Sequence, residues 1–303
     1  MKSVITLDFI TEREVATEPH FIVEFGKAVP IVKVTDEIKS NDYPSLYWAC
    51  GSRQFYMDVK GVAKFSIHDR HQVVVELQQG VKLEKALPFF YGTVLTVMLH
   101  MQKKFPIHAS AVLSKDGLNL FCAHSGTGKS TLAFNLSRNG YPLFSDDKCV
   151  LEWDRILQKY LSKPSIRAVR LWQDAIDNIS DSEILDDGIR VIDKENKFQF
   201  NLDNAMYQNL QTLNKIFIIH KENEIKKVIV RELKGQQKLK ALKSQIHRPG
   251  LIIGVDIKER HQKFINNLAV LVPVFYIKRP SNIPIADFVK VMKKQIGKPF
   301  VEV

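Results

Sequence analysis

The sequence predicts an α/β protein, with a β-rich first region followed by a domain in which strands and helices alternate around a glycine-rich loop. Three observations carry that prediction. Short runs of period-two alternation recur up to about residue 86. From residue 107 the order becomes strand, turn, strand, glycine loop, helix, strand, and near the C-terminus two amphipathic helices flank one further strand.

The N-terminal MKSVITLDFITEREV alternates apolar and polar residues and reads as a strand. Asp8 and Glu12 stand where a signal peptide would need its apolar core. FIVEF (21–25), FYMDV (55–59), AKFSI (63–67) and VVVELQ (73–78) continue the alternation and are punctuated by Gly51, Gly61 and Gly80. Residues 89–104 are expected as an apolar helix that Pro88 starts near its first turn and that stops before Phe105 and Pro106. The longest apolar run, LPFFYGTVLTVMLHM, is shorter than the about 20 residues of a spanning helix, so no membrane segment is expected. The chain is thereby divided into a β-rich region 1–102 ending in that helix and a second domain, 103–303.

The second domain opens with IHASAVLS, a turn over Lys115 to Gly117, and LNLFCA. The loop follows, then a helix KSTLAFNLSRN closed by Gly140, then YPLFSDDKCVLEW. Leu132, Ala133 and Leu136 share one side of the helix, the stripe needed to lie on a sheet. NKIFIIHK (214–221), KVIVREL (227–233) and VFYIK (274–278) read as strands, and HQKFINNLAVLV (261–272) and IADFVKVMKKQI (285–296) as helices.

The core of the loop, SGTGKST, carries what a triphosphate requires: amides converging on one concavity, a positive helix end, a flexible cation and a hydroxyl for a metal. Ser125, Gly126, Thr127 and Gly128 supply the turn, Lys129 can reach β and γ oxygens, Ser130 can hold magnesium, and Thr131 can add a contact at the α-phosphate. Ala123 stands where such loops begin with glycine. That position ends a strand, and alanine is tolerable there unless φ must be positive. His124 is read as a solvent-facing loop residue without a role.

Asp146 and Asp147 end the strand after the helix. If that strand runs parallel to the one before the loop, both carboxylates reach the edge where a γ-phosphate would sit. One can hold magnesium and the other can take the proton of an attacking hydroxyl; the alternative is a strand-end turn or cap. His108 lies next to the loop if its strand and the loop strand form an antiparallel hairpin.

Composition sets outer limits. The 303 residues are 45% hydrophobic with 14 Gly and 12 Pro, which excludes a disordered chain. Cys50, Cys122 and Cys149 are odd in number and lack zinc-type spacing, so a reducing, cytoplasmic compartment is expected, with Cys122 and Cys149 as inert strand thiols. The net charge of +11 is concentrated in the last third, which suits a solvated surface or an acidic partner. Nucleic-acid binding finds no helix-turn-helix or zinc pattern to support it. No N-K-x-D base-reading motif follows the loop, which argues against a GTPase.

The segment IHASAVLSKDGLNLFCAHSGTGKSTLAFNLSRNGYPLFSDD resembles the catalytic segment of HPr kinase/phosphorylase and its relatives. Those share a histidine-bearing strand, a short turn, a strand, an S-G-x-G-K-S loop, a helix ending in R-x-G and a strand ending in D-D. KPSIRAVRLWQDAI is similar to a segment of the members linked to peptide tailoring, including lasso-peptide precursor kinases. The strong likeness covers residues 107–147, and a weaker one runs from about 55 to 290. The resemblance implies a mixed-sheet P-loop kinase domain of the HPr kinase/phosphoenolpyruvate carboxykinase type, ATP and Mg2+, and transfer to a serine or similar hydroxyl on a peptide or protein. It implies that Lys129 and Ser130 bind phosphate and metal, that Asp146 and Asp147 between them supply metal binding and base catalysis, and that His108 lies in the site; in the mechanism taken forward Ser130 and Asp146 hold metal and Asp147 is the base. Arg170 is the candidate cation for the transferring phosphoryl group, with Arg167, Lys197 and Arg248 as alternatives. No counterpart of the family's E-x-A-A-R-N signature is present, so HPr itself and phosphorolysis are not carried over. Two other readings stay open: a nucleotide-binding regulator without transfer chemistry, and a small-molecule kinase of the same fold. Homo-oligomerisation is compatible with each.

Overall fold

The computed structural model describes residues 22–25, 39–43, 46–68, 70, 72–163, 168–173, 176, 189–190, 197–201, 210–252 and 255–301. The strand expected within residues 1–15 lies outside them. The chain forms two compact units, one of Met1–Phe105 with Arg248–Lys263, the other of Pro106–His247 with Phe264–Val303. Residues 248–263, assigned by sequence to the second domain, thus pack with the first unit. No helix among the described residues is long and apolar enough to cross a membrane.

The first unit is built on six strands: β1 (Ile22–Phe25), β2 (Lys39–Tyr43), β3 (Leu46–Cys50), β4 (Phe55–Val59), β5 (Ala63–His68) and β6 (Gln72–Leu77), in the order β1-β6-β5-β4-β3-β2. The β1–β6 pair is parallel and the others antiparallel. Period-two alternation does what it predicts. Phe55, Met57 and Val59 are buried opposite Ile67, Phe65 and Ala63, while Tyr56 and Asp58 face outward.

The helix that follows differs from the sequence reading. It starts at Leu83, and Pro88 lies inside α1 (Leu83–Phe89) rather than near its start; a π-turn (Phe90–Val94) and α2 (Leu95–Met101) follow. Proline has no N–H to give the Glu84 carbonyl, but that carbonyl lies in the first turn of a helix that starts only one residue earlier, so few ladder bonds are lost. The Gly92 carbonyl in the π-turn accepts from Thr96 Oγ1 at 3.1 Å and Arg248 Nε at 3.0 Å.

The second unit carries a nine-stranded mixed sheet. Its path is β10-β8-β9-β16-β12-β11-β7, with β18 paired to β16 and β17. The strands are β7 (Phe105–Ile107), β8 (Ala109–Ser114), β9 (Gly117–Cys122), β10 (Leu143–Ser145), β11 (Cys149–Asp154), β12 (Lys159–Lys163), β16 (Gln211–Glu222), β17 (Ile229–Glu232) and β18 (Val274–Pro280). A separate three-stranded sheet joins β13 (Ala168–Trp172), β14 (Ile189–Arg190) and β15 (Lys197–Asn201). The helices are α3 (Lys129–Ser137), α4 (Gly235–Lys243), which the sequence reading missed, α5 (Val255–Leu271), which spans both units, and α6 (Ile285–Ile296).

Strands β9, β16 and β18 are mutually parallel. Strand β10 is antiparallel to β8, which is antiparallel to β9, so β10 runs parallel to β9 two places away. All four therefore end at one edge of the sheet. One face buries Phe121, Phe217, Ile219 and Ile277 against Leu132, Ala133 and Leu136 of α3 and Phe288, Val289, Met292 and Ile296 of α6. Phe217 stacks on Phe121 and on Phe275, with ring centroids 5.7 and 5.4 Å apart. Cys122 and Cys149 are free, buried strand residues as the sequence indicates, and burial pushes both thiols up to about 12.

Phe217 is the centre of this layer. Phe217→Ala is expected to lower the unfolding free energy by about 3–5 kcal/mol, and Phe217→Leu by roughly half that or less, as read from urea midpoints at unchanged slope.

Candidate active site

The β8–β9 hairpin sets Ala109 opposite Cys122 and Ser110 opposite Phe121. His108, the residue before β8, is thereby brought to the mouth of the loop that leaves β9. Gly126 and Gly128 take φ of +77° and +94°, in the left-handed region that glycine tolerates. Ala123 does not have a positive φ; its methyl is 4% exposed and packs into the core beneath α3. The departure from the usual first glycine therefore costs the loop nothing in backbone geometry. Ser125 is exposed, while Thr127, Ser130 and Thr131 are half-buried at the loop's rim and the helix start.

Lys129, 7% exposed, donates to the Ala123 carbonyl at 2.9 Å, and its Nζ lies 3.2 Å from His108 Nε2. On the other side of the same ring, His108 Nδ1 is 3.0 Å from the Asp147 carbonyl and 3.7 Å from Asp147 Oδ1. A carbonyl oxygen only accepts, so Nδ1 carries the proton and Nε2 offers its lone pair to the lysine. Burial is the largest cause holding the His108 pKa below its usual value, and Lys129 adds to it; Asp147 and Asp146 oppose both. The lysine of the loop and the second aspartate thus meet on the two nitrogens of one imidazole.

Asp146 is 3% exposed, and its Oδ1 accepts from Ser110 Oγ at 2.5 Å and from Ser130 Oγ at 2.9 Å. Asp147 takes φ of +71°, unusual for a residue with a side chain. Its Oδ2 accepts from Lys148 Nζ at 2.8 Å, and that lysine is 1% exposed. His247 is a further neighbour, its ring 5.3 Å from that of His108. It is delivered by the segment 245–247, whose backbone pairs with 106–108.

Two oxygen-bearing groups, Ser130 and Asp146, form a hard donor pair at the helix start, the chemistry that suits magnesium. The ligand atoms of His108, Asp147 and His247 also lie within 4.8 Å of one another, a nitrogen-rich set suited to softer divalent metals. Arg170 lies on β13 opposite Gln199 in the separate small sheet. Its side chain and Arg167 fall outside the described residues. Arg248 is exposed in the first unit, with Nε on Gly92.

No family model matches the chain, and no curated protein matches its sequence. Among solved structures, the HPr(Ser) kinase/phosphatase from Coxiella burnetii aligns with 63% of this chain and 95% of its own, at 11% sequence identity and a TM-score of 0.35. A likeness that loose fixes neither activity nor substrate.

Sequence reading missed Ser110, Lys148, His247 and Arg279, whose guanidinium Nη1 lies 3.4 Å from the Thr127 carbonyl. Ser110 and Lys148 carried a usable signal, one two residues after His108 and the other directly after the paired aspartates. His247 and Arg279 carried none, being brought in by pairing across long stretches of chain.

Because its folded pKa is depressed, His108 resists charging in the native state. Stability is then intact above the unfolded pKa of about 6.5 and falls as pH drops from there toward the folded value. His108→Gln is expected to lose less unfolding free energy than wild type between pH 7.5 and pH 5. Equal losses in urea titrations at the two pH values would remove the neutral imidazole from this account.

Proposed function

We propose that this chain transfers the terminal phosphoryl group of ATP to a serine or similar hydroxyl of a peptide or protein. The observation that carries the reading is the meeting of Lys129 and Asp147 on His108, beside the Ser130–Asp146 hydrogen bond. A loop that only clamps a nucleotide needs the lysine and the serine. It has no use for a second carboxylate held across from them.

In the proposed reaction the loop amides and Lys129 hold the β- and γ-phosphates. Magnesium, held by Ser130 Oγ and Asp146, would screen the charge on the β and γ oxygens. Asp147 orients the acceptor hydroxyl and takes its proton as the oxygen bonds to the γ-phosphorus and the bond to the β-γ bridging oxygen breaks, leaving ADP. In a loose phosphoryl transition state the proton leaves late, so positioning matters more than base strength. A carboxylate whose other oxygen is already engaged by Lys148 meets that need. His108 keeps the lysine and the aspartate in register through its two nitrogens. The basic last third is suited to docking an acidic acceptor.

The test uses labelled ATP and peptides encoded beside this gene. Lys129→Met is expected to abolish nucleotide binding. Asp147→Asn is expected to lower transfer by roughly 10²- to 10⁴-fold while ATP affinity stays within a few-fold. Full transfer by Asp147→Asn would eliminate the assigned base. Tight ATP binding by wild type without transfer to any hydroxyl would favour a regulator instead.

A further inference from the structure

Arg279 stands one residue from the end of β18, in the register that sets it opposite Lys221 of β16. It is 152 residues from Thr127 in the chain, yet its Nη1 lies 3.4 Å from the Thr127 carbonyl. The same nitrogen is 3.1 Å from where a Cβ on Gly128 would stand. Its Cζ is 5.0 Å from the centre of the Phe288 ring, and its Nε is buried with no protein acceptor. The residue as a whole is 8% exposed. Among the described residues no carboxylate pairs with it.

This is an expensive place for a cation. Gly128 caps α3, whose N-terminus carries partial positive charge, and Lys129 begins that helix. A buried guanidinium with one long hydrogen bond, an idle Nε and a helix end of its own sign nearby lacks the compensation buried charges ordinarily have. Burial accordingly draws its pKa down. The missing partner has to be an anion, and it has to arrive on the loop side, where Thr127 and Gly128 lie.

We infer that Arg279 supplies the phosphate loop with an uncompensated positive charge that binds the polyphosphate part of a nucleotide. The inference rests on the reading of residues 123–131 as a phosphate loop. It adds to it a residue from the far end of the domain, acting as a positioning and charge-supplying group through the Thr127–Gly128 backbone. Its contribution grows with the charge of the ligand, being larger for tripolyphosphate than for pyrophosphate and absent for adenosine. A guanidinium that only braced the loop would act differently, since its removal would destabilise the free protein and weaken all ligands alike.

The experiment measures binding of tripolyphosphate, pyrophosphate and adenosine by calorimetry, and melting of the ligand-free protein, for wild type, Arg279→Gln and Arg279→Lys. Arg279→Gln is expected to weaken tripolyphosphate roughly ten- to a hundred-fold, the range for a charge-assisted hydrogen bond, with a smaller loss for pyrophosphate. Its ligand-free melting temperature should be unchanged or higher, and Arg279→Lys should recover most of the affinity. Wild type binding tripolyphosphate with Arg279→Gln binding it equally well would overturn the role of Arg279 and leave the phosphate loop standing. Binding of no polyphosphate by wild type would overturn both. A lower melting temperature with uniform loss across the ligands would make the residue a brace and overturn the charge argument, as would a failure of the lysine variant to recover affinity.

Discussion

The register of one hairpin governs the candidate site. With Ala109 opposite Cys122, the residue before β8 falls beside the first turn after β9, and that residue is His108. A shift of one position would turn each side chain of β8 to the other face of the sheet and take Ser110 away from Asp146. The register is protected by burial: every residue of β8, and β9 from Leu118 to Cys122, is buried, so a slip would strip the buried Ser110, Ser114 and Asn119 of their hydrogen-bond partners. Ser114 and Asn119 pin the far end of the hairpin, with Asn119 Nδ2 donating to Ser114 Oγ at 3.0 Å and to the Gly117 carbonyl at 3.1 Å. The turn itself requires glycine, since Gly117 has φ of +116° and a Cβ there would fall 2.7 Å from the Thr212 carbonyl.

Around that hairpin, charge is arranged unevenly. Lys129, Lys148 and Arg279 are all less than a tenth exposed, as is Asp146, while Asp147 is about a fifth exposed at its side chain. Asp147 answers Lys148, and Asp146 is occupied by two hydroxyls. Lys129 donates to the Ala123 carbonyl and lies beside the neutral His108 imidazole. Among these described residues, three buried cations stand against one buried carboxylate at the edge where four strands end in parallel. Sites of this kind bind anions well because the cost of assembling like charges is met in folding rather than on binding.

The parts of this arrangement legible in the sequence are those whose chemistry is local. The loop from Ser125 to Thr131 is contiguous, its glycines have a backbone reason, and the helix stripe of Leu132, Ala133 and Leu136 announces the face it buries. Asp146 and Asp147 follow from the rule that strands joined through a helix run parallel, although β8 in fact lies between β9 and β10. What stayed hidden depends on tertiary pairing. Arg279 reaches the loop only because β18 adds to β16, and His247 reaches His108 only through an isolated bridge between Ile107 and Ile246. Lys148 stood in plain sight after the two aspartates, but lysine is so seldom fully buried that the position reads as surface. The start of α1 was missed because Pro88 is a usual helix opener, whereas here the helix begins five residues before it.

Asp147 shows how these constraints converge on one backbone position. An aspartate at φ of +71° is held in a sparsely populated region, and it persists only where the surroundings over-determine it. Here they do so from three sides. Its carbonyl receives His108 Nδ1, its Oδ2 receives Lys148, and the short strand β10 hands over to β11 within three residues, leaving the chain little room to turn otherwise. Aspartate and asparagine bear this conformation better than other side chains, because their short polar groups bond locally. The turn thus restricts the residue to a small polar set before any chemistry is asked of it, and of that set only aspartate can both answer the buried lysine and accept a proton. Fold and proposed reaction consequently ask for the same residue at this position.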